Sequence, residues 1–467
     1  MEENNQNTQT LAVIVGNREF FPDRLAEEGG KEIIERLEDC GFAVITLSEG
    51  SRSVQTREES EKCAQVFKEN AEDIEGVVVT LPNFGDEKGI AETLRLANLD
   101  VPVLVHAFPD EVGKMDRAHR RDSFCGKFSV CNNLYQYGIT FTNTKRHVEA
   151  PDSQEFREDL IWFGSVCRTV KGLKNARLGV VGVRPNAFKT VRYSEKILER
   201  NGISVEVVSL MEIIGRAREL EDDSHTEEQL SQMKQWFCWE NVPEEAVIKT
   251  ANLAAVLSEW VQENDVDALS FNCWPAIEKY YKIVPCAAMS LLSERLIPVA
   301  CETDVMGSLS MYALQCASGK PTALVDLNNN YGDDPDKCVL FHCSAVACSF
   351  FEDCPVLGCH DMQGYYGSLS GKIASGPVTL FRLSTDDVKG SIRCYIAEGV
   401  ITEDEIETFG TYGVVEVGGL QSLLKYVADK GFEHHVAIVQ GHVADILEEA
   451  ISNYAGWEVY RHSSRIT

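Results

Sequence analysis

The chain concentrates its reactive groups between residues 300 and 344. That stretch reads A-C-E-T-D-V-M-G, then P-T-A-L-V-D-L-N-N-N-Y-G-D-D, then F-H-C-S. Glu302 follows the apolar run Leu296-Ile297-Pro298-Val299-Ala300, and Asp326 ends the run Thr322-Ala323-Leu324-Val325. Each carboxylate therefore falls at the carboxyl end of a predicted strand, and residues 304–318 between them read as a helix. In a β-α-β unit the two strands are parallel, so both acids open onto one edge of the sheet, where open α/β sheets bind ligands. Two converging acids with a histidine available suit a hard divalent cation. The competing explanation is structural: acids cap helices, and Glu302 precedes one.

The chain has ten histidines. His342 lies on a short apolar segment sixteen positions after Asp326, where a histidine is either a hydrogen-bonded core residue or a ligand contact. His434 and His435 precede the apolar run Val436-Ala437-Ile438-Val439. Paired histidines before a strand send one ring to either face, so only one is expected at a site. Cys343, Cys348, Cys354 and Cys359, flanked by His342 and His360, lack the tight pairing of structural zinc sites. In apolar sequence they read as small hydrophobes.

Those residues need a scaffold, and the chain supplies an alternating one. Apolar strand runs at 11–15, 42–47, 76–81 and 101–106 alternate with helical patterns at 26–37, 58–72 and 91–97. This alternation predicts a parallel sheet covered by helices. After a long helical stretch at 153–171 the pattern restarts: strands at 177–183, 203–209 and 268–272, helices at 190–201 and 244–263. Residues 216–235 read as a charged, solvated amphipathic helical excursion within this second unit. From about Gly364 glycine and β-branched residues dominate, which predicts a largely antiparallel β region. The expectation is α/β: two Rossmann-like doubly wound domains, 1–172 and 173–355, the second carrying Glu302 and Asp326, then a C-terminal largely antiparallel β domain, 356–467, carrying His435.

Composition removes several functions. The 467 residues carry a net charge of −29, from 73 acids against 44 bases. A broad basic surface for nucleic acid or for an anionic membrane is absent. Residues 1–10 are polar and read as a short disordered tail without a secretion signal. No apolar run is long enough to span a bilayer. With 16 scattered cysteines, reduced thiols and a cytoplasmic setting are expected. There is no G-x-G-x-x-G, no G-x-x-x-x-G-K-[ST] and no G-x-S-x-G, which disfavours nucleotide cofactors and serine hydrolysis.

The motifs C-E-x-D-x-x-G, D-x-N-N-x-Y-G-D-D, F-H-C-S and the terminal H-x-A-I-x-x-G-H resemble the L-fucose isomerase family, related to the L-arabinose isomerases. The resemblance runs from the first strand to the last helix and is densest between Cys301 and Ser344. It implies three domains, aldose–ketose interconversion and a divalent metal, commonly Mn²⁺. Its metal ligands fall on Glu302, Asp326 and His435, with Glu302 and Asp326 also the acid/base pair. His342 is similar to the extra histidine ligand of the arabinose branch. The resemblance also implies a homohexamer in which Arg18 reaches a neighbouring subunit's site.

Aldose isomerisation moves a proton between C1 and C2. A metal gripping O1 and O2 stabilises the cis-enediol, and a base and its partner acid move the protons. A hydride shift is the mechanistic alternative. Candidates for contacting a monosaccharide are Arg18, Asn83, Trp274, Asn328 to Asn330, His342 and Arg184, each just past a strand. L-fucose, D-arabinose, L-arabinose and a C6-modified sugar all remain open as substrates. Lys372, Arg382 and Arg393 are the cations that could build a pocket for an anionic C6 group. A sugar-binding sensor and a metal-dependent sugar aldolase are the competing functions.

Overall fold

The structure, a computed structural model, describes residues 8–47, 53–220, 224–343 and 345–463. Most of the expected polar tail, Ser344 of the F-H-C-S motif and residues 221–223 of the charged insert lie outside the described residues. The chain divides into two compact units, Met1–Lys171 and Gly172–Thr467.

The first unit is built on strands β1 (Thr10–Gly16), β2 (Ala43–Ile45), β3 (Ser53–Val54), β4 (Ile74–Leu81), β5 (Val103–Ala107) and β6 (Thr142–Asn143). They form a parallel sheet in the order β2-β1-β4-β5-β6, with β3 on β1. β4 and β5 are apolar almost throughout, as strands covered on both faces must be. The covering helices are α1 (Asp23–Asp39), α2 (Arg57–Glu69), α3 (Glu87–Ala97), α4 (Ser123–Gln136) and α5 (Gln154–Lys174). Their starts follow from local chemistry: Thr56 and Glu59 form a capping box for α2, and Asp86 accepts from the Gly89 amide at 2.7 Å to start α3.

In the second unit β7 (Arg177–Val181), β8 (Ser204–Val208), β9 (Ala268–Phe271) and β10 (Val299–Ala300) make a parallel sheet in the order β10-β9-β7-β8. Its helices are α6 (Glu195–Arg200), α7 (Leu210–Glu219), α8 (Ser224–Trp236), α9 (Glu244–Glu263), α10 (Ala276–Tyr281), α11 (Cys286–Glu294) and α12 (Val305–Ser318). The charged insert is amphipathic, and its apolar face is packed: α7 just before and into it buries Ile213, Ile214 and Ala217, and α8 buries Met233 in the core that holds α9. The charges occupy only its outer face.

A third sheet of nine strands follows: β11 (Ala323–Asn330), β12 (Lys337–His342), β13 (Val356–Cys359), β14 (Tyr366–Lys372), β15 (Gly376–Asp386), β16 (Ser391–Ile401), β17 (Thr411–Glu416), β18 (His435–Gln440) and β19 (Glu458–Arg461). Its order is β13-β14-β17-β12-β11-β18-β15-β16-β19, and a further β17–β16 pairing closes six strands into a barrel-like ring. Most pairings are antiparallel, and helices α13 (Leu420–Asp429) and α14 (Ala444–Glu448) complete it. The fold class is thus α/β with parallel Rossmann-like regions and a C-terminal antiparallel β region. Among the described residues no helix is long and apolar enough to cross a membrane.

Two expectations are corrected. Residues 299–326 do not form a parallel β-α-β unit: β10 stays in the four-stranded sheet, while β11 pairs antiparallel with β12 and β18. The reason lies in β11 itself, whose Asn328, Asn329 and Asn330 are exposed. A parallel strand must be buried on both faces, whereas an antiparallel one can end in solvent. Nor are all thiols reduced, because Cys238 and Cys354 are joined in a disulfide.

Candidate functional site

His435 opens β18, and antiparallel register sets it opposite Asp326 on β11. Its ring is fully buried, with Nδ1 2.8 Å from Asp304 Oδ2 and Nε2 3.1 Å from Glu302 Oε2 and 3.4 Å from Asp326 Oδ1. The imidazole therefore has a clamped nitrogen and a working one. Nε2 of His435 and Oδ1 of Asp326 are both buried and lack a hydrogen-bond partner. Buried polar atoms without partners are costly and call for an explanation. Glu302 and Asp326, from different sheets, thus share one imidazole nitrogen.

Glu302 reaches this point by an unusual turn. It lies between β10 and α12 with φ 60°, and Thr303 follows with φ 59°. Two consecutive non-glycine residues in the left-handed region cost about 1 kcal/mol or more each. The turn aims the carboxylate at His435 rather than along the helix. Glu302 does not cap α12: Asp304 does, accepting from the Gly307 amide at 2.9 Å. The other Glu302 oxygen, Oε1, accepts from the Trp274 indole N–H at 3.0 Å.

Asp304 was not singled out in the sequence, yet it anchors the cluster. Arg382 donates to both of its oxygens, at 2.6 and 3.0 Å, and also to Glu433 at 3.2 Å. Asp304 and Arg382 are fully buried. The only available signal was the D of C-E-x-D, which spacing alone reads as a helix cap.

These contacts set the protonation. Burial would raise the Glu302 carboxyl, but His435, His342 and the Trp274 N–H outweigh it and hold it below its ordinary value. Burial likewise opposes ionisation of Asp304, but Arg382 and His435 hold it well below the carboxylate range. Burial would depress His435, but its bond to Asp304 and the nearby Glu302 carboxylate lift it to about 9. His342 is lifted to about 10, against burial, by Cys343, Asp326 and Glu302.

The remaining candidates divide. His342, the last residue of β12, is buried with its ring centroid 5.9 Å from that of His435. Glu302, His342 and His435 present one ligand atom each within 4.8 Å of one another, and so do Asp326, His434 and His435. His434 is half exposed, 3.6 Å from Asp326. Asn328 is exposed on β11 and bonds Asn329. Arg18 and Asn83 belong to the first unit. There Arg18 pairs with Glu87 and lies 4.2 Å over the Phe84 ring, and Asn83 uses its amide on Asn17 and Gly85. Among the described residues Arg184 hydrogen-bonds the carbonyls of Pro185 and Asn186. The cations considered for an anionic C6 group do not build a pocket. Arg382 is sealed in the core, Lys372 pairs with Glu352 and Glu405, and Arg393 lies over Phe432 beside Asp386. Each is already neutralised by carboxylates, which removes the incentive to bind an anion.

Residues 12–174 match the family described as "Fucose/sulfoquinovose isomerase, N-terminal domain", and residues 340–463 match "L-fucose isomerase, C-terminal domain". The chain belongs to the L-fucose isomerase family. It is 27% identical over 454 residues to a sulfoquinovose isomerase of Priestia aryabhattai, covering 95% of this chain and 97% of that protein. The Priestia megaterium counterpart gives the same figures. A sulfoquinovose isomerase of Alkalicoccus urumqiensis is 26% identical over 325 residues, covering 68% of this chain and 70% of its own. Membership of this isomerase family makes the chain an aldose–ketose isomerase.

In this isomerase Asp304 carries the site's geometry. Asp304→Asn leaves Arg382 and His435 short of a buried anion, which should cost about 3 kcal/mol of stability by urea unfolding. Should the cluster around His435 hold a divalent cation, the same change should weaken binding of added Mn²⁺ by about 10- to 100-fold. A second expectation follows from the raised histidines. A cation displaces the imidazole proton, so affinity falls as pH drops below the folded pKa. Between pH 7 and 8.5, Mn²⁺ affinity measured by paramagnetic resonance should rise about tenfold per pH unit if His435 alone gives up a proton. It should rise about a hundredfold if His342 does too.

Proposed function

We propose that this chain interconverts an aldose carrying an anionic group at C6, of the sulfoquinovose type, with its ketose. The observation that carries the chemistry is the convergence of Glu302 Oε2 and Asp326 Oδ1 on His435 Nε2, at 3.1 and 3.4 Å. Glu302, Asp326 and His435 would hold a divalent cation, Mn²⁺ by resemblance, and His342 stands close enough to join them. Unpartnered buried oxygen and nitrogen atoms fit such an ion. When bound, the cation supplies Lewis-acid stabilisation for the negative charge that develops as the carbonyl migrates.

The protein's own groups do the proton work. Glu302, held ionised, is the base that takes the proton from C2 and returns it at C1. The Trp274 N–H fixes Oε1 and turns Oε2 towards His435, where the sugar would lie. Asp326 moves the hydroxyl proton between O1 and O2. Asp304 keeps the His435 ring oriented, so its working nitrogen does not rotate away.

The anionic end of the sugar has a candidate receptor in the loop after β7. Arg184, Lys189 and Arg192 form no ion pair with a carboxylate among the described residues. The same loop carries Phe188, whose ring centroid is 5.6 Å from those of both His434 and His435. Uncompensated cations beside a site in so acidic a chain favour a negatively charged substrate. The names of the full-length relatives support the same reading. By resemblance the enzyme is a cytoplasmic homohexamer of three-domain subunits. Arg18 would have to leave Glu87 to serve a neighbouring site.

Glu302→Gln and Asp326→Asn should each lower turnover at least about 10²-fold, since each removes a proton-transfer group. Near-normal turnover of either variant refutes its assignment. A panel of neutral and C6-sulfonated or phosphorylated aldoses, assayed for ketose by NMR, should show the charged sugars preferred. Arg184→Ala should raise KM for the sulfonated aldose about tenfold and leave neutral sugars unchanged. Equal use of L-fucose and its sulfonated counterpart would sink the substrate assignment.

A further inference from the structure

Sixteen cysteines are spread along the chain, yet four of them meet at one point beside the carboxylates. Cys273 follows β9, Cys301 follows β10, Cys286 opens α11 and Cys343 follows β12. Cys273, Cys286 and Cys301 are buried. Cys301 Sγ is 2.9 Å from Cys273 Sγ, and Cys343 Sγ is 3.7 Å from His342 Nδ1. Cys301, His342 and Cys343 present ligand atoms all within 4.8 Å of one another. Cys343 is also hydrogen-bonded to Cys286 and to Cys301. Apolar packing needs cysteine only for its size, and does not require four thiols and an imidazole from five positions to meet.

We infer that Cys286, Cys301, Cys343 and His342 bind a soft divalent cation of the zinc class, at a site separate from the carboxylates. Three sulfurs and one imidazole nitrogen are a common tetrahedral donor set for zinc, whereas a hard cation prefers the oxygens of Glu302 and Asp326. Binding releases the thiol protons, and the ligands become thiolates. Cys273 then donates its S–H to the Cys301 thiolate, as groups around bound metals do. An imidazole has two nitrogens, and Nδ1 is the one at the thiols, so His342 can serve this site with Nε2 left over. The ion would tie the ends of β10 and β12 and the start of α11 together, beside Glu302. The pattern is invisible to spacing rules because no two of these cysteines are close in sequence. The other members of the Cys/His series 342–360 do not join His342 and Cys343. Cys354 is in the disulfide, Cys348 lies against Ser290 and Cys359 is exposed.

The test uses full-length protein and Co²⁺ as the probe, without sugar, so it stands or falls independently of the isomerase assignment. Co²⁺ should give a near-ultraviolet thiolate-to-metal absorption at one equivalent per chain, displaced by Zn²⁺ and not by Mn²⁺. Cys343→Ser and Cys301→Ser should each weaken Co²⁺ binding at least about 10²-fold, while Cys394→Ser, at another buried cysteine, leaves the absorption intact. Should those variants fail to fold, the wild-type protein treated with an organomercurial should release one zinc per chain. Absence of the absorption and of released zinc overturns the inference. So does peptide mapping that finds a Cys273–Cys301 disulfide in the protein as isolated.

Discussion

The buried pairing of Asp304 with Arg382 is the interaction on which the rest of the site depends. Both side chains are sealed from solvent, so separating them would strand a charge at large cost. Arg382 lies on β15, where register with β18 sets Phe381 opposite Ala437 and Leu380 opposite Ile438. That register fixes where the guanidinium sits, and the guanidinium fixes Asp304. Asp304 then does two further things with the same two oxygens. It starts α12 through the Gly307 amide and holds Nδ1 of His435. A helix start, a strand register and an imidazole orientation are therefore one coupled constraint.

The carboxylates reach His435 by different physical routes. Asp326 is carried there by strand pairing, since β11 and β18 place it opposite His435. Glu302 is carried there by a left-handed turn that ordinary backbone preference disfavours. The Trp274 indole and the His435 ring hold it in place once it has arrived. Strain of this kind persists only where surrounding contacts over-determine the conformation. Its position between the two sheets of the second unit gives it that support. The same turn brings Cys301 to the thiols, so hard oxygen donors and soft sulfur donors lie back to back along one short segment.

Acidity also organises the molecule as a whole. With a net charge of −29, the chain has carboxylates to spare for its buried and half-buried cations. Lys372 and Arg382 illustrate this, and their pairing removes them as receptors for an anion. In the loop after β7, Arg184, Lys189 and Arg192 make no ion pair with a carboxylate among the described residues, and Phe188 of that loop lies beside His435. In such a background a few unpaired positive charges select strongly for charge sign.

The alternation of strands and helices fixed the fold class, because burial on both faces or on one writes its period directly into the chain. The change to glycine and β-branched residues after Gly364 likewise marked the antiparallel sheet. The acids Glu302 and Asp326 with a histidine available point to a divalent cation, whereas the sugar chemistry is legible only in the motifs' resemblance to the L-fucose isomerase family. What only tertiary structure decided was pairing. The strand at Asp326 leaves the parallel sheet for the barrel, Asp304 turns from a cap into an anchor, and Cys343 meets cysteines 42 to 70 positions away. Local sequence encodes local burial and hydrogen bonding, whereas partners across sheets are chosen by register and by the expense of leaving a buried charge alone.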